Sequence, residues 1–242
     1  GGQDRVGLRC PSHPWAQALL QAYAQRSGHA SGQALAAPSA NSFGRISPTT
    51  AAHVRADLGE KPQGKIDLIL DGGACPVGIE STIVDCSGGS GEGVRLLRPG
   101  SITVAQIEQV LGRALLPAGE NAPRASGRLA SHYSPRTPLQ LLSEVQLQAY
   151  LKAQGTARVA ILAPASFAAF SSQVLAHCIA PPDPEHYARL LYAFLHELDG
   201  VGAQRVLIVR PPQGPLWDAV HDRLNRAAAG GGVFELEPEG DK

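Results

Sequence analysis

The sequence predicts an α/β protein in two parts, and three observations predict it. After Pro138 the chain alternates strand and helix patterns, the signature of a small layered α/β domain with a mainly parallel sheet. Before Leu116 it mixes short apolar strands with two helix patterns. Between them "PAGENAPRASGRLASHYSPRTP" is rich in Pro, Gly, Ala and Ser and has no apolar period. The expected boundaries are a first domain over 1–117, an interdomain linker over 118–137 and a second domain over 138–242.

Each element follows from local chemistry. "RVGLRC" at 5–10 reads as a strand. Residues 14–27 carry apolar positions at helical spacing. The loop "GHASGQ" follows, and then "ALAAPSAN" at 34–41, read as a short buried strand entering a turn. Ser47 before Pro48 gives a helix start, with the helix running to Gly59. "IDLILDGG" at 66–73 reads as an apolar strand broken by a double glycine. "STIVDCS" and "GVRLLRPG" read as two further strands joined by "SGGSGEG". "TVAQIEQVLG" is a helix capped by Thr103 and closed by Gly112. In the second domain "LQLL", "ARVAILAP" and "RVLIVRPP" are strands. "EVQLQAYLKAQG", "DPEHYARLLYAFLHELDGVG" and "LWDAVHDRLNRAA" are helices. The tail "GGGVFELEPEGDK" reads as frayed and acidic.

Composition excludes several classes. Of the 242 residues 43% are hydrophobic and 17% charged, which is a globular balance. With 21 basic and 21 acidic residues the chain has no global basic field for nucleic acid, so such a contact must be local. The four cysteines are scattered without a CxxC pair, which argues against a disulfide framework or zinc site and fits a reducing, cytoplasmic setting. The longest apolar runs are strand-sized, so no membrane span is expected.

Several short motifs can hold a polar ligand. Ser39 and Asn41 in "PSAN" stand in a strand-to-helix turn that suits an anion, or form a self-satisfied turn. Ser47 can cap its helix or touch a phosphate there. In "DGGACPVGIESTIVD" the glycines permit close approach of a ligand and set Ser81 and Thr82 at a strand edge; an ordinary glycine bulge reads the same way. Asp71 and Asp85 end strands, as turn residues or as Mg²⁺ ligands. Arg98 in "LLRPGSIT" and Arg9 in "GLRCP" emerge from apolar strands before a proline. Their planar forks suit a phosphate or carboxylate, or a structural ion pair such as Arg98 with Asp85. "RLASHYSP" puts Arg128, His132 and Tyr133 in the linker, where Tyr133 can stack on a base, cover a pocket mouth or pin the linker.

The order of "SANSFGRISPTTAAHV", "DLILDGG", "GIESTIVD", "LLRPGSIT" and "HYSP" resembles that of the threonylcarbamoyl-AMP synthases in their long form. That form joins a YrdC-like catalytic domain through a linker to a Rossmann-like C-terminal domain. The resemblance implies synthesis of threonylcarbamoyl-adenylate and pyrophosphate from L-threonine, bicarbonate and ATP with Mg²⁺. The product serves threonylcarbamoylation of tRNA by a downstream transferase machinery. It further implies that Arg9, Ala37 and Ser81 line the threonine site. Ser39, Ser47, Arg98 and Tyr133 hold ATP or the adenylate, and Asn41 and Thr82 support them. Adenylation asks little covalent work of the protein, so hydroxyls, backbone N–H groups and arginines suffice. The linker is expected to close as a lid that keeps water from the labile mixed anhydride.

One departure accompanies the resemblance. The family's "PTDT.YGLG"-type segment and "K.R" pair do not occur here, and the chain opens on Gly-Gly at what reads as a strand. An N-terminally truncated catalytic domain with impaired activity is therefore expected. The competing reading is a module that binds tRNA or other double-stranded RNA without catalysis, for which the balanced charge predicts a weak pull. The second domain, lacking a G-x-G-x-x-G turn, reads as regulatory rather than dinucleotide-binding.

Overall fold

The computed structural model describes residues 3–28, 34–88, 93–119, 122–127, 129–154 and 158–230. Parts of the loops at 28–33 and 87–93, the acidic tail and Arg128 lie outside them.

In the first part, helix α1 (Pro14–Arg26) starts on a proline, and the His13 ring accepts the Trp15 N–H. Helix α2 (Ala51–Leu58) ends at Gly59, as the sequence predicts. Its cap is Thr50 and not Ser47: the Thr50 hydroxyl accepts the His53 N–H at 3.2 Å from an extended backbone. Strands β1 (Ile83–Asp85) and β2 (Arg95–Arg98) pair antiparallel across a bulge between Ile83 and Val84. Helix α3 (Val104–Leu111) carries a full capping box of Thr103 and Gln106 and closes on left-handed Gly112. Strand β3 (Leu116–Pro117), just before the linker and not foreseen, adds to β2 in parallel.

Three predicted strands are corrected. Residues 5–10, 34–41 and 66–73 form no strand. An extended apolar run becomes a strand only when a neighbour completes its hydrogen-bond ladder, and no described segment pairs with these in that way. Their apolar side chains accordingly stay out: Val6 is 78% exposed, Leu8 85% and Leu68 69%.

The second part follows its sequence pattern closely. Strands β4 (Leu139–Leu142), β5 (Val159–Ala163), β6 (Ala176–Ile179) and β7 (Arg205–Val209) form one parallel sheet in the order β4-β7-β5-β6. Helix α4 (Glu144–Gln154) and a 3₁₀ segment (Ala165–Gln173) cover one face, and helices α5 (Pro184–Gly200) and α6 (Asp218–Ala229) the other. Alternate residues of β5 serve opposite cores: Ala160 and Leu162 face α5 and α6, while Val159, Ile161 and Ala163 face α4. Strand β6 escaped the sequence reading because "AHCI" is only four residues long and carries a histidine in its middle.

The two parts share one core. Ile46, Ile79 and Tyr133 pack with Tyr187, Leu191 and Tyr192 of α5 and Leu224 of α6. Gly78 makes that contact possible: its φ is +84°, and a Cβ there would fall 2.2 Å from the Arg189 carbonyl oxygen. The segment before β4 is pinned along the same seam. Ser134 donates its N–H to the Gly44 carbonyl, His132 its N–H to that of Arg226, and Asp199 accepts from the N–H groups of Arg136 and Thr137.

Candidate active site

The site is built around one carboxylate. Glu80 leads into β1 and lies in the seam between the two parts. One of its oxygens accepts from the Ser47 hydroxyl at 2.6 Å. The other accepts from the Tyr192 hydroxyl at 2.8 Å and from Arg223 Nε at 3.0 Å. Burial alone would raise the Glu80 carboxyl. The Ser47 hydrogen bond, the Arg223 charge and the Tyr192 hydrogen bond outweigh burial and hold it below the ordinary carboxylate value. Burial, and next the Glu80 charge, push the Tyr192 phenol well above its ordinary value, so that it stays a donor.

Arg223 is fully buried, in the apolar stripe of α6 between Ala219, Val220, Leu224 and Ala227. Its fork also reaches the Pro99 carbonyl at 2.9 Å, the Glu80 carbonyl at 3.3 Å and Asp222 at 2.8 Å. The guanidinium thus faces two carboxylates and two carbonyls, the compensation a buried ion requires.

Arg98, at the end of β2, is 3% exposed. It donates Nε and Nη2 to the Ser81 carbonyl, at 3.2 and 2.8 Å, and Nη1 to the Ser126 carbonyl at 2.9 Å. The suggested ion pair with Asp85 does not form; Asp85 faces Arg5 at 3.8 Å. Tyr133 is 1% exposed, with a left-handed φ of +61°. Its ring lies 5.5 Å from that of Tyr192, and the Arg223 guanidinium sits 5.6 Å from its centroid. Its hydroxyl is buried without a hydrogen-bond partner among the described residues, as is His132 Nδ1. Gly127 lets the segment press down here: a Cβ would meet Tyr133 Oη at 2.0 Å and Arg98 Nη1 at 3.0 Å.

Ser47, Ser81, Arg98 and Tyr133 are thus brought together around Glu80 and Arg223. Thr82 stands beside them, donating its hydroxyl to the Ile102 carbonyl at 2.6 Å. Asn41 buttresses the loop into Ser47, its amide donating to the Arg45 and Ile46 carbonyls. Arg9, Ala37 and Ser39 lie exposed, and among the described residues no hydrogen bond or ion pair ties them to the cluster. The sequence reading missed Tyr192 and Arg223 and gave Glu80 no role. One signal was available: an arginine in the middle of an apolar helix stripe needs a buried anion.

A second contact crosses the seam. The rings of His53 and His196 stack at 3.9 Å, and His196 Nε2 lies 3.2 Å from the Ser47 carbonyl. Among the described residues no group of three or more His, Cys, Asp or Glu side chains is placed to hold a metal ion, Asp71 and Asp85 included. No described helix is long and apolar enough to cross a membrane.

Residues 102–229 match the family described as "Threonylcarbamoyl-AMP synthase, C-terminal domain", and residues 1–100 one described as "Telomere recombination". The chain is 34% identical over 238 residues to a Bacillus subtilis threonylcarbamoyl-AMP synthase, covering 95% of this chain and 64% of that protein. It is 30% identical over 242 residues to the Pyrococcus abyssi synthase, covering 94% and 65%. The solved P. abyssi Sua5 complexed with L-threonine superposes with a TM-score of 0.72 at 28% identity, over 94% of this chain and 65% of that one. The chain thus spans just under two thirds of these relatives. With a family model matching more than half of it and relatives matching along nearly its whole length, this chain belongs to the threonylcarbamoyl-AMP synthase family.

Proposed function

We propose that the protein carrying this chain is an L-threonylcarbamoyladenylate synthase, a nucleotidyltransferase acting on L-threonine, bicarbonate and ATP in the cytoplasm to supply tRNA threonylcarbamoylation. One observation carries the reading beyond family membership: segments distant in sequence that bear Ser47, Ser81, Arg98 and Tyr133 converge on one place. The relative solved with L-threonine supports threonine as a substrate.

In this reading threonine nitrogen and bicarbonate form a carbamate with loss of water. A carbamate oxygen then attacks the α-phosphorus, and the bond to the leaving pyrophosphate breaks. Arg98 neutralises charge that builds on the phosphate, where a preorganised cation contributes most. Ser81, with its carbonyl fixed by Arg98, lines the threonine side. Mg²⁺ bound with ATP would neutralise charge on its phosphates. The linker acts as a cover: the Ser126 carbonyl now accepts from Arg98, a contact that gives way when nucleotide enters.

The test is pyrophosphate release by the full-length protein. Release that needs ATP, threonine and bicarbonate together is expected. Arg98→Ala should lower kcat/KM by about 2–4 kcal/mol of transition-state binding. Release that is indifferent to threonine would sink the reading.

A further inference from the structure

We propose that Arg223, in the last helix of the C-terminal domain, is a positioning residue for the proposed substrate site: it holds the segment that carries Ser81 into β1 and the end of β2 that carries Arg98 in place against each other without touching substrate. The inference rests on the proposed synthase reading.

Arg223 makes two kinds of contact with the first part. Its Nε meets the Glu80 carboxylate at 3.0 Å, and its Nη2 the Glu80 carbonyl at 3.3 Å. Its Nη1 meets the Pro99 carbonyl at 2.9 Å. Glu80 immediately precedes Ser81, and Pro99 immediately follows Arg98. One planar fork therefore grips the segment leading into β1 and the residue leaving β2, each next to the ligand group.

The strands can transmit that grip. A Cβ on Gly100 would fall 2.2 Å from the Thr82 nitrogen, so nothing separates the two backbones there. Arg98 closes the same unit from the pocket side by holding the Ser81 carbonyl. The bulge between Ile83 and Val84 makes an outside clamp necessary, because pairing between β1 and β2 is irregular just where register matters. Tyr192 adds a second hold on the Glu80 carboxylate from α5. The geometry of a fork also sets specificity for arginine: a lysine ammonium can pair with the carboxylate but cannot span to Pro99 in the same pose.

The experiment uses the full-length protein, with threonine-dependent pyrophosphate release and calorimetric threonine binding as separate readouts. Arg223→Met should raise KM for threonine and for ATP by roughly tenfold and weaken threonine binding to match, with kcat changed less than about threefold. Arg223→Lys should recover part of both. Tyr192→Phe, which removes a single hydrogen bond, should raise KM by about threefold with a melting temperature close to that of the parent. If Arg223→Met does not fold, the lysine and phenylalanine variants decide the matter. A lower melting temperature with unchanged KM and unchanged threonine binding in the folded variants would make the arginine merely structural and overturn the proposal. A parent protein that neither binds threonine nor releases pyrophosphate overturns the synthase reading, and the inference falls with it.

Discussion

At Tyr133 a large ring fills the seam between the two parts while its hydroxyl is buried with no hydrogen-bond partner among the described residues. These two properties separate on substitution. An unpaired buried hydroxyl costs about 1–3 kcal/mol, so Tyr133→Phe should leave the melting temperature unchanged or higher. Tyr133→Ala should lose about 3–5 kcal/mol by emptying the ring's place. Equal losses in the two variants would show that the hydroxyl has a structural partner. Lost activity in a stable phenylalanine variant would mark the hydroxyl as a ligand group. At this scale the sequence was legible where chemistry is local. Arg98 stood out as a charge in an apolar strand, and Ser47 as a hydroxyl beside a proline. Where each side chain goes was not legible, since Ser47 answers to Glu80, 33 residues on, rather than to the helix beside it.

Among the elements, helices were predictable because their signals lie within a few residues of their ends. His13 and Pro14, Thr103 with Gln106, and Gly112 are such signals, and each acts as its position implies. Strands of the first part were less so, because "DLILDGG" has strand composition and no described neighbour to pair with. The buried strands of the second domain read well: a run such as "VAILA" can be satisfied only inside a covered parallel sheet. The approach of α5 to the first part gives a test with an internal control. Gly78 and Gly73 share a left-handed φ, +84° and +86°, but a Cβ at Gly78 would strike the Arg189 carbonyl while one at Gly73 would meet nothing within 4 Å. Gly73→Ala should cost about 1–2 kcal/mol, the left-handed backbone penalty alone. Gly78→Ala should cost clearly more, because α5 must move away. Equal denaturant midpoints for the two variants would mean that the seam is loose.

For the whole molecule, pH acts on the seam through His53 and His196. Burial lowers the affinity of His53 for a proton, and the facing His196 lowers it further. Burial likewise lowers His196, against an opposing pull from its bond to the Ser47 carbonyl and from Asp199 and Asp57. Folding therefore disfavours protons that the unfolded chain binds with an ordinary value of 6.5. The sign follows: stability is whole above about 6.5 and falls as pH drops below it. His132 shifts in the same direction, burial first, so a His53→Asn, His196→Asn double variant should flatten only part of the slope. Glu80 acts in a lower window. Its carboxyl lies below the ordinary 4.5, so its contribution is present above that value and is lost as pH falls further. Melting temperatures measured from pH 8 to 5 should decline in the parent and less in the double variant. A parent curve that is flat over that range would remove the stacked pair from the account.

The carboxylate of Glu80 answers to partners 33 residues upstream and 112 and 143 residues downstream. Heredity feels that span. A change at Glu80 that spared Arg223 would leave its buried cation to Asp222 alone, and the reverse change would leave the Glu80 carboxylate in the seam without a cation, so either alone is selected against. The two codons should therefore drift as a pair among descendants of this gene, and exchanges between lineages that cut between the two domains should be purged unless both parents carry the same pair.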